Sequence, residues 1–139
     1  MAAKRSRSKR RSGTSELPDV PLFLDRALDF DSLYDALTQA GAVVFRHRDH
    51  FEDDAPDFKW LPVVGHQGWV VLTKDKAMQH SEIEKAAIMN ARVSVFILVR
   101  SDLSGQEMSS IFVRALPTVF KLARKHALLL SLRFIEMLL

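Results

Sequence analysis

The chain contains no cysteine among its 139 residues. This absence excludes a disulfide framework, a thiol nucleophile and any zinc or iron–sulfur site that cysteine would hold. A chain without cysteine suits the reducing cytosol, so we expect a cytoplasmic protein.

Long apolar runs are also absent. The longest, residues 93–99 and 127–130, are far shorter than the roughly 20 residues that a membrane-spanning helix requires. The basic N-terminal segment leads into no apolar stretch of the kind found in secretory signals. We therefore expect no interaction with a membrane.

Positive charge is concentrated at the N-terminus. The formal net charge is +3, but residues 1–15 contain six lysines and arginines and no acid. Of the 20 basic residues, 14 remain against 17 acids, so the rest of the chain is mildly acidic. We predict a disordered basic tail at residues 1–17 and one folded domain at 18–139. The tail is either an arm that neutralises nucleic-acid phosphates or an extension without such a role.

The apolar pattern predicts alternating strands and helices. Runs rich in β-branched and aromatic residues predict buried strands at 20–24, 42–45, 69–73 and 93–99. Helical spacing predicts helices at about 32–40, 56–65, 81–90 and 104–122. Because parallel strands need crossover helices, we predict an α/β domain with three α/β/α layers and a small, mostly parallel sheet. Residues 126–139 fit either a longer last helix or a final strand at 132–137.

Polar residues mark where the predicted helices begin. Capping boxes predict two helix starts, at the pairs Ser81 with Glu84 and Ser104 with Glu107. Asp31 or Ser32 is expected to cap the first helix, and Pro56 suits the first turn of the second. Residues 46–55, in front of that second helix, are predicted to form a loop.

Several aspartates follow the predicted strands. Asp25 ends the first strand, Asp75 follows the third, and Asp54 and Asp57 lie between the second and the third. Ligand sites in parallel sheets gather at the carboxyl ends of strands, and clustered carboxylates are tolerated mainly when a cation compensates them. Hard oxygen ligands favour Mg²⁺ or Mn²⁺. The alternative is that these aspartates only cap helices or form turns.

Other polar residues are interpreted as structural or as substrate contacts. Four cations close in sequence to the candidate acids are either contacts to flanking phosphates or ordinary surface residues: Arg26, Arg46, Lys74 and Lys76. We expect helix caps or solvated positions for four further aspartates, Asp29, Asp31, Asp35 and Asp49. His47 and His50 are expected to form loop hydrogen bonds, and Trp60 and Trp69 to pack in the core.

Five segments in order and spacing resemble a known family. They are Phe23-Leu-Asp-Arg-Ala-Leu28, His50 to Leu61, Gly68-Trp-Val-Val-Leu-Thr-Lys-Asp75, Val95 to Leu98, and Leu103 to Pro117. Together they cover roughly residues 20–125 and resemble the PIN-like domain of VapC-type toxins, a fold of the α/β class predicted above.

This resemblance implies a Mg²⁺- or Mn²⁺-dependent endoribonuclease, the toxin of a toxin–antitoxin pair, with an antitoxin protein as partner. By position it implies that Asp25, Asp57 and Asp75 are the catalytic and metal-binding acids. Thr73 would support them, and Asp54 would be a fourth metal ligand.

Phe58 departs from the family pattern, because a second acid usually follows the position of Asp57. This departure favours an alternative, a non-catalytic PIN-like module that binds RNA or protein. A DNA substrate and a homodimer are further alternatives that the sequence leaves open.

Overall fold

The computed structural model describes residues 20–75, 81–100, 102–129 and 135–137. The predicted basic tail, residues 1–17, lies outside the described residues, as does Lys76. The fold and the site are described below for these ranges.

A sheet of five parallel strands forms the centre of the fold. Its order is β2-β1-β3-β4-β5, and every neighbouring pair is parallel. The strands are β1 (Leu22–Leu24), β2 (Val44–Arg46), β3 (Val70–Thr73), β4 (Val95–Leu98) and β5 (Ile135–Met137). The four predicted strands are therefore confirmed in shorter form, and the fifth falls within the segment that the sequence left ambiguous.

In the described ranges, five α-helices connect or follow these strands. They are α1 (Asp31–Gln39), α2 (His47–His50), α3 (Asp57–Gln67), α4 (Glu82–Ala91) and α5 (Gly105–Leu129), and a 3-10 helix spans Arg26–Leu28. The predicted loop at 46–55 is wrong in part, because it contains the end of β2 and the short helix α2. The predicted cap of α1 is also wrong: the N-cap is Phe30, and Asp31 is already helical.

Side-chain caps begin α4 and α5 as predicted. Ser81 Oγ accepts a hydrogen bond from the Glu84 amide at 3.4 Å. The Ser104 amide donates to Glu107 Oε1 at 2.8 Å, and the Glu107 amide donates to Ser104 Oγ at 3.1 Å. These bonds satisfy amides that lack a partner within the helix, so each helix starts at a defined residue.

The sheet is covered on both faces, which confirms the three-layer fold. Leu22 and Leu24 of β1 belong to a core with α1 and α5, whereas Phe23 between them belongs to a second core with α3 and α4. Successive side chains of a strand point to opposite faces, so one strand contributes to both cores.

Helix α5 is 25 residues long and buries one stripe. Its buried positions include Phe112, Leu116, Val119 and Phe120, which recur at helical spacing and so lie on one face. Within the described residues, no helix combines the length and the apolar character needed to cross a membrane.

The histidine prediction is wrong for His47. The side chain is buried in α2, and its ring lies 6.1 Å from that of Phe23 and 5.9 Å from that of Trp60, measured between ring centroids. Trp60 packs in the core as expected and is 1% exposed. Burial lowers the pKa of His47, so the neutral imidazole behaves here as a core aromatic ring.

At Gly65, α3 packs directly against the backbone of α4. A Cβ atom at this position would overlap the backbone carbonyl oxygen of Ala91, the last residue of α4. Only glycine allows this separation, because a backbone atom cannot move aside as a flexible side chain can. The packing of α3 on α4 therefore depends on glycine, which has no side chain, at position 65.

We predict that Gly65→Ala destabilises the protein by about 1–3 kcal/mol, because the added methyl group forces the helices apart. In an ordinary helix interior the same change stabilises by up to about 1 kcal/mol. A loss of stability therefore indicates the close contact between the two helices. Urea denaturation measures the difference, with Val63→Ala, at an exposed position of the same helix, as control. Unchanged or increased stability of Gly65→Ala would contradict the close approach.

Candidate metal centre

Four acids reach the carboxyl edge of the sheet around β1 and β3. The chain leaves β1 toward β2 on one side, while β3 pairs with β1 on the other. Such a switch in strand order opens a crevice beyond the carboxyl ends. Asp25 follows β1 directly, Asp75 lies two residues past β3, and Asp57 and Glu84 stand in the first turns of α3 and α4.

Asp57, Asp75 and Glu84 form the closest group. Each offers one carboxylate oxygen, and these oxygens lie within 4.8 Å of one another. Ligands of Mg²⁺ lie about 2.0–2.1 Å from the ion, so two of its ligands are at most about 4.2 Å apart. Only opposite ligands reach that separation, and adjacent ligands of an octahedral ion lie about 3 Å apart. The three carboxylates would therefore move toward one another to share one cation.

Asp25 lies beside this group and is almost fully buried. Its Oδ1 accepts a hydrogen bond from the Arg26 amide at 2.7 Å, and its Oδ2 accepts one from the Thr73 hydroxyl at 2.6 Å. The first bond caps the 3-10 helix, so Asp25 has the turn-forming role that the sequence left open. Each carboxylate oxygen has a second lone pair, so these bonds leave room for a further ligand.

Thr73 connects the ends of β1 and β3. It is fully buried, its hydroxyl donates to Asp25, and its Oγ1 accepts from the Asp75 amide at 3.0 Å. Because the hydroxyl proton points to Asp25, the Asp75 amide meets the lone pair of the same oxygen. Thr73 therefore sets the spacing between the two strand ends that carry the acids.

Two acids of the site, Asp25 and Glu84, have a raised pKa. Burial raises the pKa of Asp25 to about 6, against the hydrogen bonds from Thr73 and Arg26 and with a contribution from the charges of Asp57 and Asp75. A hydrogen bond between the carboxyl groups of Glu84 and Asp57, together with burial, raises the pKa of Glu84 to about 8. Carboxyl groups this close cannot all ionise easily unless a cation joins them.

Glu84 is the site residue that the sequence prediction missed. Its amide does bond to Ser81, as the capping motif implies, but its side chain reaches Asp57 across the two helices. The sequence did contain one indication of this role for Glu84. A helix that follows a parallel strand begins at the carboxyl edge of the sheet. An acid in the first turn of that helix belongs among the candidates.

Arg46 does not line the cleft that contains this group and is paired with other acids, so its contact to a phosphate stays a prediction. Its Nε bonds Asp29 Oδ1 at 2.6 Å, its Nη2 bonds Asp31 Oδ1 at 2.8 Å, and its guanidinium covers the ring of Tyr34. The side chain is only 12% exposed, so these contacts occupy it. Asp29, expected to be a cap or a solvated residue, is the C-cap of the 3-10 helix, and its side chain is largely buried and also bonds Arg48.

A cleft at the carboxyl edge of the sheet is lined by some of the other predicted residues. Arg26 and Asp54 line it together with Asp57, Asp75 and Glu84, and the Arg26 guanidinium donates a hydrogen bond to the Asp53 carbonyl. Asp54 is exposed and stands outside the three-acid group, although the sequence suggested it as a fourth ligand. Lys74, directly before Asp75, is exposed.

We predict that Asp25→Asn stabilises the metal-free protein at pH 8 by an amount on the order of 1–3 kcal/mol. A carboxyl whose pKa is raised on folding destabilises the native state once it ionises, so the wild type loses stability between about pH 4 and pH 6. Urea denaturation at pH 8 and at pH 4 measures the difference between the two proteins, which should vanish at pH 4. If Asp25→Asn were less stable than the wild type by the same amount at both pH values, the effect of burial on the pKa of Asp25 would be contradicted.

We expect Mn²⁺ to raise the melting temperature of the wild type, because a ligand that binds only the native state stabilises it. The effect should increase from pH 6 to pH 8.5, as Asp25 and Glu84 lose the protons that compete with the cation. Glu84→Gln should abolish most of the shift, and Asp102→Asn, an exposed aspartate beyond β4, should retain it. A shift that is independent of pH, or unchanged in Glu84→Gln, would contradict this ligand set.

Comparison with known proteins gives one match. Residues 21–100 match the family model described as a PIN like domain. The match covers 80 of the 139 residues, from the start of β1 to just past β4, and so includes all four acids. No curated protein and no solved structure matches the chain.

Proposed function

Because this chain belongs to the PIN-like domain family, whose members are commonly nucleases, we propose that it is a metal-dependent endoribonuclease. The observation that carries this proposal is the group of Asp57, Asp75 and Glu84, whose carboxylate oxygens lie within 4.8 Å of one another at the carboxyl edge of the sheet. The function follows from this site rather than from the fold, since one fold can support many chemistries.

The residues present fit a divalent cation. All donors are carboxylate oxygens, which favour Mg²⁺ or Mn²⁺ over softer metals. The hydrogen bond between Glu84 and Asp57 requires a proton on one of them, and this is the position that a cation would take. A cation held there would supply Lewis-acid activation of water and would neutralise charge on a phosphodiester during hydrolysis.

The protein's own residues have distinct roles in this proposal. Asp57, Asp75 and Glu84 would hold the cation, and Thr73 positions Asp25 against the loop that carries Asp75. Asp25, with a pKa of about 6, changes its protonation near neutral pH, as a group that relays a proton should. Arg26 on the cleft wall is placed to contact a phosphate of the substrate. A protein nucleophile is not required.

We infer the substrate and the partner from the resemblance to VapC-type toxins. It supports RNA as the substrate, a cytoplasmic site of action and a role as the toxin of a toxin–antitoxin pair. The corresponding partner is an antitoxin protein, and a homodimer is the second assembly to be tested.

A second candidate is a PIN-like module that binds RNA or protein without cleaving it. Phe58 favours this alternative, because it stands where the family pattern has a second acid. Against it, Glu84 adds a third carboxylate to the group from a different helix. The two candidates differ in hydrolysis, so a cleavage assay separates them.

We predict that the purified protein cleaves total cellular RNA in the presence of Mg²⁺ or Mn²⁺ and not in excess EDTA. Asp75→Asn should lower the rate by at least about 100-fold, because it removes a metal ligand that also bonds Thr73 through its backbone. Mapping of the cut ends by sequencing gives the readout.

Asp102→Asn is the matched control, since it makes the same chemical change at an exposed aspartate that follows β4. It should retain the wild-type rate. Cleavage that persists equally in Asp75→Asn and in EDTA indicates a contaminating nuclease, and no cleavage by a wild type that binds Mn²⁺ supports the binding module.

A further inference from the structure

Two large apolar side chains stand exposed beside the acids. Phe58 is 66% exposed and Ile83 is 83% exposed, and both line the same cleft as Asp57, Asp75 and Glu84. Each lies next to an acid of the group in sequence, Phe58 after Asp57 and Ile83 before Glu84. The cleft therefore has an acidic part and an apolar part.

Phe58 is exposed on a helix, α3, whose other large apolar side chains include buried ones. Trp60 and Leu61, two and three residues further along the same helix, are 1% and 0% exposed. Single exposed apolar residues are common on proteins, but here two of them share one cleft with three ionisable groups. With a cation at the acids, a ligand that matches this cleft needs an apolar part close to an anionic part.

We propose that Phe58, supported by Ile83, is a positioning residue of this chain, a platform on which an unpaired nucleobase of the substrate stacks. This inference rests on the proposed function for the position of the scissile phosphate at the acids. It assigns Phe58 a role in substrate positioning at the place where the family pattern has an acid.

The chemistry of a nucleotide fits both parts of the cleft. Its phosphate is attracted by a cation at the three carboxylates, and its base presents an aromatic face to the Phe58 ring. The cleft volume is about 350 Å³, within the range of small-molecule sites. Arg26, on the same wall, offers donors to a neighbouring phosphate.

Single-stranded RNA is favoured over a duplex for a physical reason. In a duplex both faces of each internal base are covered by stacking, whereas an unpaired base exposes a face to a protein ring. Phe58 has no hydrogen-bonding group, so its contact does not depend on base identity. The platform therefore selects unpaired nucleotides with little preference for sequence.

Binding of a fluorescein-labelled, mixed-sequence RNA of 12 nucleotides tests the platform, with Ca²⁺ replacing Mn²⁺ to slow cleavage. Phe58→Ala and Phe58→Leu should each weaken binding of the single strand by roughly five- to hundredfold, because neither retains a ring. Phe58→Tyr should restore wild-type affinity to within about twofold. Affinity for the corresponding RNA duplex should be the same in all four proteins.

Met89→Ala is the matched control, since Met89 is 52% exposed on α4. It should bind the single strand as the wild type does. The melting temperature of every variant and its shift with Mn²⁺ should equal those of the wild type, which separates a lost contact from a lost fold.

Several results would overturn the platform. They are single-strand binding unaffected by Phe58→Ala, wild-type affinity in Phe58→Leu, and no binding by the wild type. If Phe58→Ala alone differed from the wild type in its molecular mass in solution, this face would instead be one that binds a second copy of the chain. Cleavage by the wild type that is equal in all Phe58 variants refutes the platform alone, whereas ring-dependent binding without cleavage refutes the nuclease and supports the platform.

Discussion

Mutual repulsion of carboxylates at one edge of the sheet is the constraint on which the functional part of this structure depends. Burial and the neighbouring acids raise the pKa of Asp25 and of Glu84, and the carboxyl groups of Glu84 and Asp57 are hydrogen-bonded to each other. A protein gains nothing in stability from such a cluster, since burial disfavours the charged forms. The cluster makes physical sense as a cation site, with the energetic cost recovered on binding.

Rigid packing around the cluster makes this repulsion tolerable. Thr73 joins the ends of β1 and β3 through bonds to Asp25 and Asp75, and the close approach of α3 to α4 at Gly65 fixes the helices that carry Asp57 and Glu84. The acids therefore cannot separate without breaking buried hydrogen bonds or the second core. Strand order and helix packing together position the four side chains.

The distribution of cations supports the same interpretation. Arg46 and Arg48, close in sequence to the acidic loop, pair with Asp29 and Asp31 on the β2 side of the molecule. They consequently do not neutralise the three-acid group. The cleft keeps its acidic character and an apolar wall of Phe58 and Ile83, a combination that would suit a nucleotide once a cation is bound at the acids.

The sequence by itself determined four of the five described strands, most of the described helices, the parallel α/β class and the placement of Asp25, Asp57 and Asp75. These features follow from local periodicity, from caps and from the rule that strand ends meet at one edge, so neighbouring residues suffice to predict them. Only the tertiary structure decided that Glu84 joins the acids, that Arg46 is occupied by Asp29 and Asp31, and that Phe58 is exposed in the cleft. Each of these depends on how elements distant in sequence pack, and packing distances are not encoded in the local pattern of any one segment.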